Sequence, residues 1–178
     1  MADDLTQLAL AAGAGDRTAL SEFIRRSQAD VWRFVARAAG VEAADDLSQE
    51  TFLRVLGALP GFRGRASART WLLSIARRVV VDRIRHEVVR PRLIGVDAAE
   101  LEALAAGGGD PDRIVVEQAL AMLDPDRRVA LVLTQLMGFS YAETAEICGC
   151  PVGTVRSRVA RARAALMARE AAGSYFPL

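Results

Sequence analysis

The side chains best able to do chemistry in this chain are few, and their spacing argues against a catalytic centre. His86 is the only histidine. It follows Arg85 in a basic run, where surface placement or phosphate contact outweighs proton transfer. Cys148 and Cys150 flank Gly149 without the further cysteine or histidine partners that a zinc site needs. Cys148 reads as a core residue and Cys150 as a turn residue, with redox sensing the minor alternative. Gly107, Gly108 and Gly109 follow no strand and precede no lysine, so they do not form a phosphate-cradling loop. No catalytic residue, metal or cofactor is expected. What the chain does carry is arginine, which supplies all 23 of its basic residues. Its planar guanidinium pairs bidentately with phosphates and guanine edges, as lysine does not.

Those arginines are unevenly placed. Net charge is only +1, but residues 63–92 carry nine Arg against two acids, and residues 127–178 carry seven against three. Between them, residues 93–126 carry one Arg and eight acids. Two basic patches around an acidic stretch fit two surfaces for a polyanion. The sharpest pattern lies in the second patch. Thr154, Ser157, Arg158 and Arg161 stand at i, i+3, i+4 and i+7, so a helix presents them on one outward face. Val152, Val155, Val159, Ala162 and Leu166 form the opposite, apolar stripe. Arg156 and Arg163 lie on a flanking face suited to phosphates.

The element ahead of that helix decides how to read it. Ser140 and Glu143 make an S-x-x-E capping box, and Gly149 is placed to end the short helix in a left-handed turn. A short capped helix, a glycine turn and a longer basic helix are the anatomy of a helix-turn-helix. A surface helix with solvated arginines is the bland alternative, and the preceding elements weigh against it.

The rest of the chain is also helical, which predicts an all-α protein. Helices are expected from about Thr18 to Ala39, stopped by Gly40, and from about Ala44 to Leu59, with Leu47, Phe52, Val55, Leu56 and Leu59 inward. After the loop PGFRGRAS, a long helix begins at about Ala68 and ends before Pro91, with Trp71 starting its apolar stripe as a core residue. No element is assigned before Thr18. Further helices are expected over Ile114–Leu123, from Pro125 to Met137, from Ser140 and from about Val152 to Ala172. The glycine triplet and the surrounding acids mark residues 93–112 as a flexible linker between two small domains, 1–92 and 113–178. No apolar run approaches the roughly 20 residues of a membrane helix. The N-terminus is acidic where a signal peptide is basic, so a cytoplasmic protein with no membrane insertion is expected.

Two further segments carry a resemblance. DDLSQETFLRVLGALPGF, Asp45 to Phe62, resembles the polymerase-clamp-binding helix of the sigma-70 superfamily. RGRASARTWLLSIARRVVVDRIRH, Arg63 to His86, resembles the adjoining stretch that opens and reads the minus-ten promoter element. With the helix-turn-helix they resemble an extracytoplasmic-function (ECF) sigma factor, which keeps a sigma-2 helical bundle and a sigma-4 helix-turn-helix. CGCPVGTVRSRVARAR is similar to the actinobacterial sigma C-like group. The resemblance implies core RNA polymerase (the clamp helices and flap) and promoter DNA as partners, and it allows an anti-sigma factor.

The resemblance also implies site residues. Asp45, Asp46, Leu47, Gln49, Glu50 and Phe52 bind core polymerase, where complementary charge steers docking. Asp45 and Asp46 also suit a helix N-terminus through its dipole. Arg63, Arg65, Ser67, Arg69, Arg77, Arg78, Arg83 and Arg85 line the single-strand path, and the loop Phe62–Ala68 captures a flipped base. Many relatives have asparagine at Arg78, so base readout there is expected to be altered or lost. Thr154, Arg156, Ser157, Arg158, Arg161 and Arg163 read the minus-35 element. Apart from the resemblance, the charge and flexibility of the linker lead to the expectation that its acids Asp97, Glu100, Glu102, Asp110 and Asp112 thread a basic channel of the polymerase and mimic nucleic acid. The competing reading is a regulator that binds a duplex palindrome unaided, usually as a dimer. A protein-only adaptor leaves the Thr154–Arg161 face unexplained.

Overall fold

A computed structural model describes residues 3–89, 116 and 118–171. The described residues form helices joined by short turns and loops, with no strand among them. The linker expected over 93–112, both domain boundaries and the start of the Ile114 helix lie outside them.

The first helix, α1 (Asp4–Gly13), is one the sequence reading left unassigned. Asp3 caps it, accepting the amide of Thr6 at 2.6 Å, and Leu5, Leu8, Ala9 and Ala12 turn toward the core. α2 (Arg17–Ala39) starts where Asp16 accepts the amides of Thr18 and Ala19, and Gly40 closes it. α3 (Ala44–Ala58) runs into a 3-10 turn at Leu59–Gly61, and α4 (Ala68–Val89) follows the loop. Phe23, Phe34, Val35, Val55, Leu72 and Val79 fill the space between these helices. Burying each such side chain contributes about 1.5–3 kcal/mol. Leu47, Val55 and Leu59 point inward as the spacing predicts. Leu56, expected to do the same, is 41% exposed. It follows Val55 and faces away from the side that α3 lays on α2 and α4.

After a helical turn at 118–121, Asp124 caps α5 (Pro125–Leu131) by accepting the amides of Asp126 and Arg127. The helix expected to continue to Met137 widens instead into a π turn over Val132–Leu136, where the Met137 amide reaches back to Val132 O at 3.0 Å.

The helix-turn-helix forms as the local chemistry dictates. In α6 (Tyr141–Cys148) the Glu143 amide donates to Ser140 Oγ at 3.2 Å, while Glu143 Oε2 accepts the Ser140 amide at 2.8 Å. The Ser140 hydroxyl and amide hold the Glu143 carboxyl below its usual range. Gly149 then turns the chain at φ 62°, ψ 40°, a conformation that costs a residue with a Cβ about 1–2 kcal/mol. α7 (Val152–Ala171) follows, burying Val155, Val159 and Ala162, with Val152 and Leu166 half-buried at the ends of the stripe.

The two groups of helices touch. α4 packs against α5 and α6, and α2 meets the π turn. The buried apolar side chains of both groups join into one cluster. Arg128, buried in α5, donates to Ala38 O at 3.0 Å and Ala121 O at 2.5 Å, placing its cation at the negative end of α2.

Candidate nucleic-acid interface

The outer side of α3 carries Asp45, Asp46 and Gln49, all exposed. Asp45 Oδ1 accepts the indole N–H of Trp32 at 2.8 Å, and the half-buried Glu50 pairs with Arg54 at 2.5 Å. Leu47 lies in the core and Phe52 is half-buried against it, so both set the pose of the helix rather than its surface. The apolar contribution to this surface comes from Leu53, 70% exposed, and Leu56. Asp46, Gln49, Leu53 and Leu56 follow one another at helical spacing, which the sequence already contained.

The loop between the 3-10 turn and α4 is held at its base by Phe62, whose ring lies 4.7 Å from that of Trp71. That contact, with Trp71 packed against the core, bears out its reading as a packing residue. Arg63 and Arg65 project to solvent, Arg63 reaching back to Pro60 O at 2.8 Å. Ser67 Oγ accepts the Thr70 amide at 3.1 Å, so it caps α4. Along α4, Arg78, Arg83 and Arg85 are exposed, and His86 is exposed beyond them.

The remaining arginines of the two basic patches are engaged inside the molecule, some within their own half and some across the contact between the two halves. Arg69 pairs with Asp30 at 2.6 Å, and its guanidinium lies 4.2 Å over the Phe139 ring, a cation–π contact. Arg77 of α4 reaches Asp126 of α5 at 2.5 Å. Arg85 of α4 and Arg158 of α7 approach the same carboxylate at 3.2 Å and 3.6 Å. One aspartate thus gathers three arginines that were read as DNA contacts, two from the single-strand path and one from the duplex reader. Side-chain exposure is 18% for Arg77 and 17% for Asp126, so water screens that pair only partly.

On α7 the half-buried Thr154 accepts the Ser157 hydroxyl at its carbonyl at 2.9 Å. Arg156 and Arg161 stand free in solvent on the exposed side, and Arg163 donates to the Gln135 side chain. Asp30 and Asp126 were not singled out from sequence, because a partner 39 or 49 residues away leaves no local signature.

Cysteine chemistry is confined to one corner. Cys148 is buried, and burial pushes its thiol up to about 11. Cys150, half-buried in the turn, faces Arg158 Nη1 at 3.6 Å. The thiolate is the reactive form. At pH 8 iodoacetamide is therefore expected to label Cys150 about tenfold faster than Cys148 or more. Cys148 should respond only as pH climbs past 10 or the chain unfolds. Equal labelling of both at pH 8, followed by mass spectrometry, would refute this placement.

Among the described residues no group of three histidine, cysteine or acidic side chains could hold a metal ion, and no helix is long and apolar enough to cross a membrane. Residues 23–88 match the family profile described as Sigma-70 region 2, and residues 113–166 match that of Sigma-70, region 4. The chain is 55% identical over 168 residues to the ECF RNA polymerase sigma factor SigC of Mycobacterium tuberculosis (strain CDC 1551 / Oshkosh), covering 92% of this chain and 90% of that one. It belongs to the ECF RNA polymerase sigma factors. The ECF RNA polymerase sigma-E factor of Escherichia coli (strain K12) is 35% identical over 165 residues, covering 85% of this chain and 86% of its own. Among solved structures, CnrH in complex with the cytosolic domain of CnrY matches with a TM-score of 0.70 at 31% identity, covering 96% of this sigma factor and 99% of that chain. The sigma factor RpoE from Bartonella quintana, in complex with the anti-sigma factor NepR, matches with a TM-score of 0.64 at 26% identity, covering 85% and 94%.

Proposed function

We propose that this sigma factor docks on core RNA polymerase through the outer side of α3 and carries two separate DNA-reading faces to a promoter. Asp45, Asp46, Gln49 and Glu50 meet a basic coiled coil of the polymerase clamp, and the 113–178 half meets the flap. Arg63, Arg65, Ser67, Arg78 and Arg83 serve the melted minus-ten strand, joined by Arg77 and Arg85 once the two halves part and by Arg69 once it exchanges Asp30 and Phe139 for the strand. Thr154, Arg156, Ser157, Arg158, Arg161 and Arg163 read the minus-35 duplex in the major groove. The observation that supports this reading best is the pair of exposed basic faces, one on the α3–α4 unit and one on α7, each within its own sigma-70 region.

On this reading residues 1–92 and 113–178 are two domains that separate on the polymerase. The protein acts in the cytoplasm, catalyses no reaction itself, and offers its α3 surface to any anti-sigma protein. The regulator alternative is less well supported, since both halves of the chain match sigma-70 regions. The purified chain, added to core polymerase and a genomic promoter library, should give discrete transcript starts that are absent without it. A chain that starts no transcripts but shifts a palindromic duplex alone would replace this function with the regulator.

A further inference from the structure

We infer that α1 is the template on which the base-capture loop is set, with Thr6 as its principal positioning residue. The inference rests on the sigma-factor reading of the loop Phe62–Ala68, and α1 itself precedes the segment that matches Sigma-70 region 2.

One face of α1 follows the loop from end to end. Thr6, Leu10 and Gly13 stand at i, i+4 and i+7, so they share a side of the helix. At the far end of the loop, Thr6 Oγ1 accepts the backbone amide of Ala68 at 2.8 Å. Both residues are buried, and Ala68 is the first residue of α4. A helix leaves its first amides without partners, and a buried amide left so is destabilising. Ser67 supplies one acceptor, to Thr70, and Thr6 supplies the other from 62 residues away. Thr6 is itself fixed, because its amide is bound by the Asp3 cap.

In the middle of the loop Gly64 adopts φ +66°, and the Leu10 methyls lie 3.5 and 3.7 Å from where its Cβ would stand. Thr6 Cγ2 lies at 3.7 Å from the same point. The loop backbone therefore rests directly on α1. At the near end Gly13 abuts the 3-10 turn so closely that a Cβ there would meet Leu59 O at 2.6 Å. Arg63 and Arg65 project from a backbone held at three points by one helix, and Ser67 closes the loop as the cap of α4.

A base-capture pocket works only if its walls are in place before the base arrives, since the energy of contact must offset that of unstacking. Loss of the Thr6 acceptor frees the start of α4 and the loop attached to it. The duplex reader on α7 and the docking surface on α3 do not touch Thr6, so they are unaffected. A role confined to covering the core would instead lower all three activities in step with stability.

The test uses the full chain, alone and bound to core polymerase, with two probes. These are a single-stranded oligonucleotide carrying the minus-ten element of a promoter mapped by run-off sequencing, and a duplex carrying its minus-35 element. Thr6→Val should weaken oligonucleotide binding by the holoenzyme about tenfold, and flatten discrimination between bases at the captured position. Core affinity and minus-35 duplex binding should stay within about twofold, and Thr6→Ser should restore the oligonucleotide affinity. Hydrogen exchange at the Ala68 amide should quicken in Thr6→Val alone, independently of any DNA. Leu10→Ala, which keeps the hydroxyl and removes the support beneath Gly64, should act in the same direction. Ala9→Gly, on the core side of α1, controls for stability. The inference is overturned if Thr6→Val binds the oligonucleotide as the wild type does, or loses no more than an Ala9→Gly chain of equal melting temperature. A wild-type holoenzyme that fails to hold the oligonucleotide overturns the sigma-factor reading of the loop instead.

Discussion

Replacing Leu53 by aspartate is expected to remove binding to core RNA polymerase while leaving the melting temperature within a degree or two. Leu53 is 70% exposed on α3, and Leu56 lies close by at 41%. Neither fills the core, so the fold loses little when either becomes polar. Two exposed leucines on one helix face, beside the exposed Asp46 and Gln49, make an apolar patch with a charged margin. That arrangement matches the usual anatomy of an interface, where a few apolar anchors carry most of the energy and rim charges steer. Truncating one anchor typically costs 2 kcal/mol or more, and an aspartate there must also be desolvated. The expected loss of affinity is therefore about a hundredfold or greater. Asp46→Ala, at the rim, should cost about tenfold or less and chiefly slow association. Pull-down and interferometry with core polymerase measure both. An unimpaired Leu53→Asp chain would move the docking surface off this face of α3.

How much of this was legible depended on how far apart the interacting residues are. The capping box at Ser140 and Glu143 and the left-handed Gly149 follow from chemistry confined to four residues, and both form as expected. Helices α2, α3, α4 and α7 announced themselves by apolar spacing, to within a residue or two at the ends described. The first helix was also legible in principle. Leu5, Leu8, Ala9 and Ala12 recur at helical spacing, but the run is short and Gly13 and Gly15 close it early. The π turn at Val132–Leu136 was not legible, because an unbroken apolar run looks the same whether the helix widens or not.

The candidate site divides in the same way. Which arginines belong to the basic faces could be read from spacing, and Arg63, Arg65, Arg78, Arg83, Arg156 and Arg161 are exposed. That Arg69, Arg77, Arg85 and Arg158 are engaged elsewhere could not be read, since Asp30 comes to Arg69 through the packing of α2 on α4, and Asp126 comes to Arg77 and Arg85 through that of α4 on α5 and to Arg158 through that of α5 on α7. Leu56 was misassigned because it adjoins a core position in sequence and a helix turns about 100° between neighbours. Its neighbour Leu53 belongs to the same exposed side.

The cluster around Asp126 gives the second large effect. Asp126→Asn is expected to raise the affinity of the free chain for a minus-35 duplex about tenfold, and that of the polymerase-bound chain, in which only Arg158 is newly released, by much less. The carboxylate holds Arg158, a reader of that duplex, within its own half, and in the closed arrangement it also holds Arg77 and Arg85 across the contact. The Arg77 pair is mostly shielded from water, and removing one partner leaves a guanidinium without its counter-charge. For a fully buried pair that costs about 3–5 kcal/mol, and for this partly exposed one about 1–3 kcal/mol. That energy is lost from the contact between the two halves, so the equilibrium moves toward chains whose DNA faces are free. Asparagine is close in shape and keeps the helix start, where Asp124 supplies the cap. The substitution also adds one positive charge, which favours DNA by itself. Asp4→Asn makes the same change in net charge on α1, away from the cluster, and should raise affinity by far less. Anisotropy titrations across a salt series separate the two effects, because release of Arg158 and its neighbours adds phosphate contacts and steepens the salt dependence. The radius of gyration of the free Asp126→Asn chain should also grow. If affinity, salt slope and size all match those of Asp4→Asn, the arginines gathered at Asp126 do not hold the two halves together.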